Sequence, residues 1–363
     1  MPRGKKIHLL VGTYKGAFLF ISDRLRKNWS VKGPFLKGLE VNDIILDTRA
    51  DATLFACANS AWFGAGVRIS RDLGKTWSEP EGGIRFEEGS DRKVARVWTI
   101  KPGADEASSV LYAGVDPGAL FKSEDGGAGW TEIQGLSNHP TRQKWQPGAG
   151  GMMVHSICVD TQNPRRMFVG ISAAGVFSTD DSGSSWEARN KGVLADFLPD
   201  KYPEVGQCVH HLEMSPGNAD LFYQQNHCGV YRTDDGGRTW VDISKGLPSR
   251  FGFPIIVHPH DADTVYVIPE EGAEFRAVSN ASFGIYRSRN KGKSWKKLSK
   301  GLPAKHAYSH VYRQATTADS LERTGLYVGT SNGQIFYSLN DGDSWKLLAE
   351  NLPPVYSLNV SVR

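Results

Sequence analysis

The stretch Thr179-Asp180-Asp181-Ser182-Gly183-Ser184-Ser185-Trp186 decides the fold of this 363-residue chain, because similar stretches recur along its whole length. The shared pattern is Ser/Thr-x-Asp/Asn-x-Gly-x-x-Trp, and we call each copy a tryptophan phrase. Six copies are complete, whereas the copy from Ser22 to Trp29 has Arg24 and Arg26 at its Asp and Gly positions. Such regular recurrence is typical of a repeat fold with one unit per copy. The closing tryptophans lie 48 to 56 residues apart, at Trp29, Trp77, Trp130, Trp186, Trp240, Trp295 and Trp345.

Each tryptophan phrase has the composition of a hairpin turn. The Asp or Asn side chain can accept hydrogen bonds from backbone N–H groups of the turn, and the glycine can adopt a positive φ. The large tryptophan ring is suited to packing between neighbouring sheets. We therefore interpret the phrases as structural elements and not as catalytic ones.

The residues between two phrases form a pattern of four short strands. In one unit these are His155 to Val159, Met167 to Ile171, Gly175 to Thr179 and Ser185 to Arg189. Seven units of four strands predict an all-β fold, a seven-bladed β-propeller that spans residues 1–363 as a single domain.

The two ends of the chain are expected to close the ring. The first unit begins at its second strand, Ile7 to Thr13, and the chain ends with an unpaired candidate strand, Tyr356 to Val362. The C-terminal strand would then be the innermost strand of the first blade, which removes an open sheet edge.

The tryptophan phrases resemble the Asp-box, or bacterial neuraminidase (BNR) repeat. This resemblance implies a propeller, since sialidases, xyloglucanases, sortilin-type receptors and a photosystem II assembly factor carry such boxes on propellers. The stretches Trp145 to Gly151 and Val205 to His210 are similar to those of bacterial proteins described as sialidase-like or glycosyl hydrolase-like. A sialidase would also need an Arg-Ile-Pro phrase, but Arg68-Ile69 is followed by Ser70. The resemblance therefore implies a glycosyl hydrolase-like propeller without classical sialidase activity.

Composition and charge exclude several classes of function. The formal net charge is +4, and the basic residues are scattered among acidic ones, which argues against a nucleic-acid partner. No apolar run approaches the roughly 20 residues of a membrane span, and the segment from Ile7 to Gly12 is too short for a signal-peptide core. We expect a cytoplasmic protein. The cysteines form no Cys-x-x-Cys pair, so buried free thiols are the default expectation for Cys57, Cys158, Cys208 and Cys228.

Any active pocket is expected on the face opposite the phrases, because the longest connections lie there. These are roughly residues 78 to 93, 135 to 152, 190 to 207 and an insertion at 270 to 283. Three tryptophans outside the phrases, Trp62, Trp98 and Trp145, belong to this region. They would form an aromatic platform for a sugar ring or, alternatively, shield the core beneath long loops.

Aligning the inner strands places seven residues at one equivalent level, and five of them are polar. A polar ring is more easily accommodated around a central channel than in an apolar core. From this ring, Arg96, His155, His210 and Tyr308 are the catalytic candidates, and Asn42 is a substrate-binding candidate. The full set is Asn42, Arg96, His155, His210, Phe253, Tyr308 and Leu358.

The histidines suggest a metal site. His155, His210 and His227 could together bind a zinc-like divalent ion with an open coordination position. The alternative is that they are hydrogen-bonding histidines of a polar channel. Glu270 could supply a carboxylate from the sixth blade, with Glu271 as its neighbour. Further histidines of the same region are His211, His306 and His310.

Two classes of function follow from these residues. The first is a hydrolase or lyase that acts on a small polar or carbohydrate-like ligand, with histidines as acid/base groups or metal ligands. The second is a non-catalytic scaffold whose wide face binds a protein partner. Polar residues concentrated at the axis favour the first class, because a scaffold needs its specificity at the rim.

Overall fold

The computed structural model describes residues 5–104 and 109–363, and within them the strands form seven antiparallel sheets arranged as a ring. Six sheets have four strands. The second has three strands, and a pair of hydrogen bonds between Ile69 and Ser78 takes the place of the fourth. The prediction of a seven-bladed β-propeller is confirmed.

The strands follow the chain in blade order, and blades 1 to 3 contain the first ten. Blade 1 has β1 (Lys6–Thr13), β2 (Gly16–Asp23) and β3 (Trp29–Phe35); blade 2 has β4 (Glu40–Asp47), β5 (Thr53–Ser60) and β6 (Gly64–Ser70); blade 3 has β7 (Arg96–Pro102), β8 (Leu111–Asp116), β9 (Ala119–Ser123) and β10 (Thr131–Glu132).

Blades 4 to 7 contain the remaining strands. Blade 4 has β11 (Val154–Val159), β12 (Met167–Ile171), β13 (Gly175–Thr179) and β14 (Glu187–Ala188); blade 5 has β15 (Val209–Ser215), β16 (Asn218–Asn226), β17 (Gly229–Thr233) and β18 (Val241–Asp242); blade 6 has β19 (Gly252–His258), β20 (Asp261–Pro269), β21 (Ile285–Ser288) and β22 (Lys296–Leu298); blade 7 has β23 (Thr316–Ala318), β24 (Leu326–Gly329), β25 (Ile335–Ser338) and β26 (Lys346–Ala349).

Helix is confined to three short segments of the described chain. These are α1 (Gln134–Ser137) and the 3-10 turns Arg142–Lys144 and Ser279–Ala281. None of the described helices is long and apolar enough to cross a lipid bilayer.

The ring closes through the C-terminal strand, as the sequence predicts. The strand β27 (Val355–Val362) pairs antiparallel with β1, with Leu9 opposite Val360 and Val11 opposite Leu358. Leu9, Val11 and Leu358 all belong to one buried cluster that continues into blades 6 and 7. Burial of these side chains therefore links the closing strand to the last blades of the ring.

The tryptophan phrases form tight turns between the third and fourth strands. In the third phrase the Ser123 hydroxyl accepts the Gly127 backbone N–H at 2.9 Å, and Asp125 Oδ1 accepts the Gly129 backbone N–H at 2.9 Å. Gly183, in the fourth phrase, has a φ of 93°, and a Cβ there would lie 2.7 Å from Ile133 of the preceding blade. Glycine is thus required for both conformation and space.

The two faces of the ring follow from the antiparallel order. The turns between first and second strands, and the tryptophan phrases between third and fourth, lie at one face, which we call the phrase face. The connections between second and third strands, and between blades, lie at the other face, which we call the loop face. Inner strands begin at the loop face and end at the phrase face.

A β-bulge interrupts the inner strand of blades 2 to 6 at the corresponding point. In blade 4, Val154 pairs with Ile171 and Ser156 with Gly170, so that His155 is the extra residue. His210 is the extra residue between Val209 and His211 in blade 5. A bulge re-aims the side chain that it carries and is common beside binding sites. The corresponding positions are Asn42, Trp98, His155, His210 and Phe253.

The sequence alignment of the inner strands differs from the structure in three blades. In blade 3 the bulge carries Trp98, and Arg96 is paired with Asp116 two residues earlier. In blade 7 the inner strand starts only at Thr316, and Tyr308 lies in the preceding connection. In blade 1 the bulge falls at Tyr356, two residues before Leu358. In blades 3 and 7 a long connection precedes the inner strand and shifts its starting point, which a spacing argument cannot detect.

Candidate functional site

The loop face opens into a cavity on the propeller axis, where the inner strands begin. Its volume is about 230 Å³. We call it the loop-face cavity. Blades 1, 2 and 3 line one side of it, and the connections around blades 6 and 7 line the other. The described residues that line it are Glu40, Asn42, Arg96, Trp98, Gly150, Phe253, Arg276, His310, Tyr312, Arg313, Gln314 and Tyr356.

His310 and Glu270 form a hydrogen-bonded pair beside this cavity. The Glu270 carboxylate is fully buried, and its two oxygens lie 2.8 and 2.9 Å from His310 Nδ1. The Val311 backbone N–H donates to the same carboxylate at 3.0 Å. Because Nδ1 is held by the carboxylate, Nε2 of this cavity-lining histidine is the free basic atom, with no hydrogen-bond partner among the described residues.

The topology explains why these two residues meet. Glu270 directly follows β20 and opens the insertion between the second and third strands of blade 6. His310 lies in the connection between blades 6 and 7. Both kinds of connection lie on the loop face, so residues 40 positions apart in sequence become direct neighbours.

Arg313 contributes a cation to the loop-face cavity. Its Nη1 donates to the Ser172 hydroxyl at 2.8 Å and lies 3.6 Å from the Met153 sulfur. Desolvation lowers the pKa of this partly buried guanidinium to about 10. Within residues 5–104 and 109–363, no carboxylate forms an ion pair with it. A desolvated cation without a protein counterion is favourable for binding an anionic ligand.

Two further arginines line the cavity at its exposed rim. Arg96 lies 3.7 Å from the Glu40 carboxylate, and Arg276 extends over the Phe253 ring at 5.3 Å. Asp116 faces Arg96, and burial raises the pKa of this carboxyl despite that arginine. The lining of the cavity therefore carries more positive than negative charge.

Aromatic rings form much of the remaining wall. Trp98 is half-buried and donates from Nε1 to Gln314 Oε1 at 3.3 Å. The Arg313 guanidinium lies 5.3 Å from the Trp98 ring. Tyr312 and Tyr356 pack edge to face at 4.9 Å. Ring faces beside cations are suited to a ligand with both apolar and charged parts, such as a sugar acid.

The three tryptophans outside the phrases do not share one surface. Trp98 lines the loop-face cavity. Trp145 is buried and packs on Phe177 at 4.8 Å, as in the alternative in which it shields the core. Trp62 is 90% exposed at the tip of the turn between β5 and β6.

The candidate histidines are divided between the two faces. His155 lines a second cavity, of about 260 Å³, at the phrase-face end of the channel. Its Nδ1 lies 2.9 Å from the Ser156 hydroxyl and its Nε2 lies 2.9 Å from the Val209 carbonyl. Both ring nitrogens are thus engaged within the protein, and burial holds the pKa of His155 well below its usual range. Gln314 lines both cavities and lies between them.

His210 and His227 lie together, and His155 is not part of their group. Their ring centroids are 5.6 Å apart, and Cys208 completes a group with them. The sequence predicts His155 in this group, whereas the structure places the Cys208 thiol there.

The remaining candidates take different positions. Asn42 is buried beneath the loop-face cavity, where its Oδ1 accepts the Asn59 amide at 2.8 Å. Tyr308 is 56% exposed and contacts Phe275 outside the cavity. His211 pairs with Glu213 at the phrase-face cavity, and His306 is exposed.

The sequence analysis missed Arg313, Gln314 and Arg276, but a signal for the first two exists. Gln314 lies five residues before Asp319, just as His155 lies five before Asp160 and Asn42 five before Asp47. The aspartate that follows the inner strand is therefore the better anchor for alignment, and it places Tyr312 to Gln314 at the axis.

Comparisons with known proteins give the following similarities. The family model of sortilin (Sortilin-Vps10; neurotensin receptor 3) matches residues 228–356. A probable oligoxyloglucan-reducing end-specific xyloglucanase of Neosartorya fischeri is 25% identical over 195 residues, which is 53% of this chain and 21% of that protein. The oligoxyloglucan-reducing end-specific xyloglucanase of Emericella nidulans is 23% identical over 232 residues, with 27% of its length covered.

Solved structures agree on the fold. An ancestral GH74 enzyme superposes on 89% of this chain with a TM-score of 0.57 at 17% identity, which covers 38% of that enzyme. The matched region spans about a quarter of the length of the two curated xyloglucanases. These similarities support a glycoside hydrolase-like propeller.

Proposed function

We propose that the loop-face cavity is the active site of a hydrolase or lyase, and that its substrate is a small sugar-like molecule carrying a carboxylate or phosphate. One observation carries the proposal: the cavity combines Arg313, which has no carboxylate partner among the described residues, with His310, a histidine oriented by a buried carboxylate. A cation to hold an anion and a base to move a proton then share one pocket.

The roles of the residues follow from their contacts. The anionic group of the substrate binds the Arg313 guanidinium, and Arg96 and Arg276 add positive charge at the rim. The ring of the substrate packs against Trp98 and Tyr312.

His310 carries the proton transfer. Its Nε2 accepts a proton from an attacking water in a hydrolysis, or from a carbon beside the substrate carboxylate in an elimination, and returns it to the leaving group. Glu270 acts as a positioning residue, because it fixes Nδ1–H as the donor and stabilises the imidazolium that forms.

The number of carboxylates that line the cavity indicates which type of reaction it favours. Glu40 is the one carboxylate among its described lining residues, whereas glycosidases usually place two carboxyl groups across the scissile bond. The arrangement therefore favours a histidine-dependent reaction, such as ester or lactone hydrolysis or elimination. The similarity to xyloglucanases supports a carbohydrate-like substrate.

The experiment is a turnover screen with matched charged and neutral substrates. Phosphorylated sugar lactones and glycosides of uronic acids are compared with the corresponding uncharged sugar lactones and neutral glycosides. We expect turnover of an anionic member and none of its neutral counterpart. His310→Gln should lower kcat by roughly 10²- to 10⁴-fold, whereas Arg313→Gln should chiefly raise KM.

His306→Gln is the matched control, since His306 is an exposed histidine of the same connection. Its activity should equal that of the parent protein. Turnover that survives in folded His310→Gln would contradict the assignment of the base. Binding of all substrates without turnover in the parent protein would contradict catalysis and favour the scaffold function.

A further inference from the structure

We propose that Cys208, His210 and His227, none of which lines the adjoining loop-face cavity, form a binding site for a zinc-class divalent cation. The Cys208 sulfur and one ring nitrogen of each histidine all lie within 4.8 Å of one another. This inference goes beyond the proposed function and does not depend on it.

The hairpin of β15 and β16 brings the three residues together. Cys208 immediately precedes β15, and its carbonyl accepts the His227 backbone N–H at 2.9 Å. Cys208 and His210 are two positions apart and lie beside the turn that carries His227. The bulge at His210 adds a residue to this strand and re-aims its imidazole.

The hydrogen bonding of His210 identifies the nitrogen that would bind the metal. Its Nδ1 lies 2.6 Å from the Gly252 carbonyl. A carbonyl can only accept, so Nδ1 carries the proton and Nε2 keeps a free lone pair. Metal-binding histidines commonly donate their other N–H to a backbone carbonyl in this way, which fixes the tautomer and the orientation of the ring.

Aromatic rings pack against both histidines. Phe251 packs edge to face with each of them at 5.2 Å, and Phe253 stacks on His210 at 4.3 Å. These rings limit the movement of the two imidazoles.

The donor set selects the class of metal. One thiolate and two imidazoles suit Zn²⁺ and its substitute Co²⁺, and they do not suit Ca²⁺ or Mg²⁺, which need oxygen ligands. Ligand atoms of a tetrahedral zinc site are roughly 3 to 4 Å apart. Rotation of the partly exposed Cys208 and His227 side chains can shorten the distances between the ligand atoms to this range.

Zinc binding requires the Cys208 thiol to lose its proton. That proton is released when the metal binds. The free fourth position would hold water or an exogenous ligand.

The experiment uses the full chain, freed of any affinity tag, with Zn²⁺ or Co²⁺ alone as the probe. We expect one metal ion per chain by elemental analysis, and a cobalt complex with a thiolate charge-transfer band. Cys208→Ser should abolish that band, and His227→Ala should weaken zinc binding by at least about 100-fold.

Cys228→Ser is the matched control, because Cys228 is a neighbouring thiol whose sulfur lies 3.0 Å from Asp196 Oδ1. It should keep both the band and the affinity, and circular dichroism should show all variants folded. The proposal is overturned if the parent protein binds no stoichiometric zinc or cobalt, or if folded Cys208→Ser keeps the charge-transfer band.

Failure of the metal proposal can be distinguished from failure of the proposed function. Cys208 and His227 do not line the loop-face cavity, and metal occupancy is measured without substrate. Loss of metal with intact turnover, or the reverse, would test the two proposals separately.

Discussion

Arg26 and Asp319 form a buried ion pair that joins blade 1 to blade 7, although they are 293 residues apart. The Arg26 Nη2 and Nε atoms lie 2.6 and 3.1 Å from the two carboxylate oxygens, and Arg26 is 3% exposed. The Tyr327 hydroxyl donates to the same carboxylate at 2.9 Å. Arg26 stands at the glycine position of the degenerate phrase, with a φ of 51°. Arg26 in place of the glycine of the repeat thus has a structural role, because its ion pair joins the two blades between which the ring closes.

The first prediction concerns this ion pair. Asp319→Ala leaves the Arg26 charge buried without its partner, and we expect the free energy of unfolding to fall by about 3–5 kcal/mol. Chemical denaturation measures the loss. Glu124→Gln, which removes the exposed partner of Lys122, is the control and should leave the free energy of unfolding nearly unchanged. Equal effects of the two changes would contradict a special role for Arg26 and Asp319.

The second prediction concerns the closing strand. Deletion of Tyr356 to Arg363 removes β27 and leaves β1 with an unpaired inner edge. We expect aggregation or a large loss of thermal stability, because that edge can pair with other chains. Size-exclusion chromatography and a melting curve test this. Deletion of Arg363 alone is the control, and an unchanged melting curve for the longer deletion would exclude the closure argument.

The third prediction compares two tryptophan phrases. Asp235 accepts the hydroxyls of Thr233 and Thr239 and the Thr239 N–H, whereas Asp125 accepts the Ser123 hydroxyl and the Gly129 N–H. Asp235→Ala and Asp125→Ala should each lower the free energy of unfolding by roughly 1–3 kcal/mol. The loss should be larger for Asp235. Neither change should alter ligand binding, and an effect on turnover in folded protein would contradict a purely structural role.

The fourth prediction concerns the acid stability of one phrase. Hydrogen bonds from the Thr76 backbone and hydroxyl lower the pKa of Asp72 to about 2, from an ordinary value of 3.8. A lowered pKa in the folded state means that the contribution of Asp72 is complete above pH 3.8 and lost as the pH falls through about 2. Asp72→Asn should therefore show a smaller decline of Tm between these pH values than the parent protein. Parallel declines would contradict the linkage.

The fifth prediction separates His155 from the metal site. His155→Ala removes an imidazole whose two ring nitrogens are both engaged within the protein, so we expect the free energy of unfolding to fall by about 1–3 kcal/mol. Zinc affinity should be unchanged, because Cys208 and not His155 lies beside His210 and His227. Calorimetric titration of His155→Ala with Zn²⁺ measures this affinity. A reduced affinity would indicate that His155 is a ligand.

The repeated parts of the protein were predictable from sequence. A tryptophan phrase acts within eight residues: its hydroxyl and carboxylate bond the backbone of their own turn, as Ser123 and Asp125 do. Local chemistry of this kind depends little on the rest of the fold. The number of blades, the all-β class and the closing strand therefore follow from the printed sequence.

The candidate site depends on contacts between distant segments, and the spacing of residues along the sequence does not reveal them. A bulge of one residue decides which side chain of an inner strand faces the axis, as with Trp98 in place of Arg96. Glu270 meets His310, and Cys208 meets His227, only because separate connections converge on one face. Side-chain contacts between distant segments are set by the register and packing of the whole ring, and so the tertiary structure alone determined which histidine is oriented by a buried carboxylate and which two lie beside a thiol.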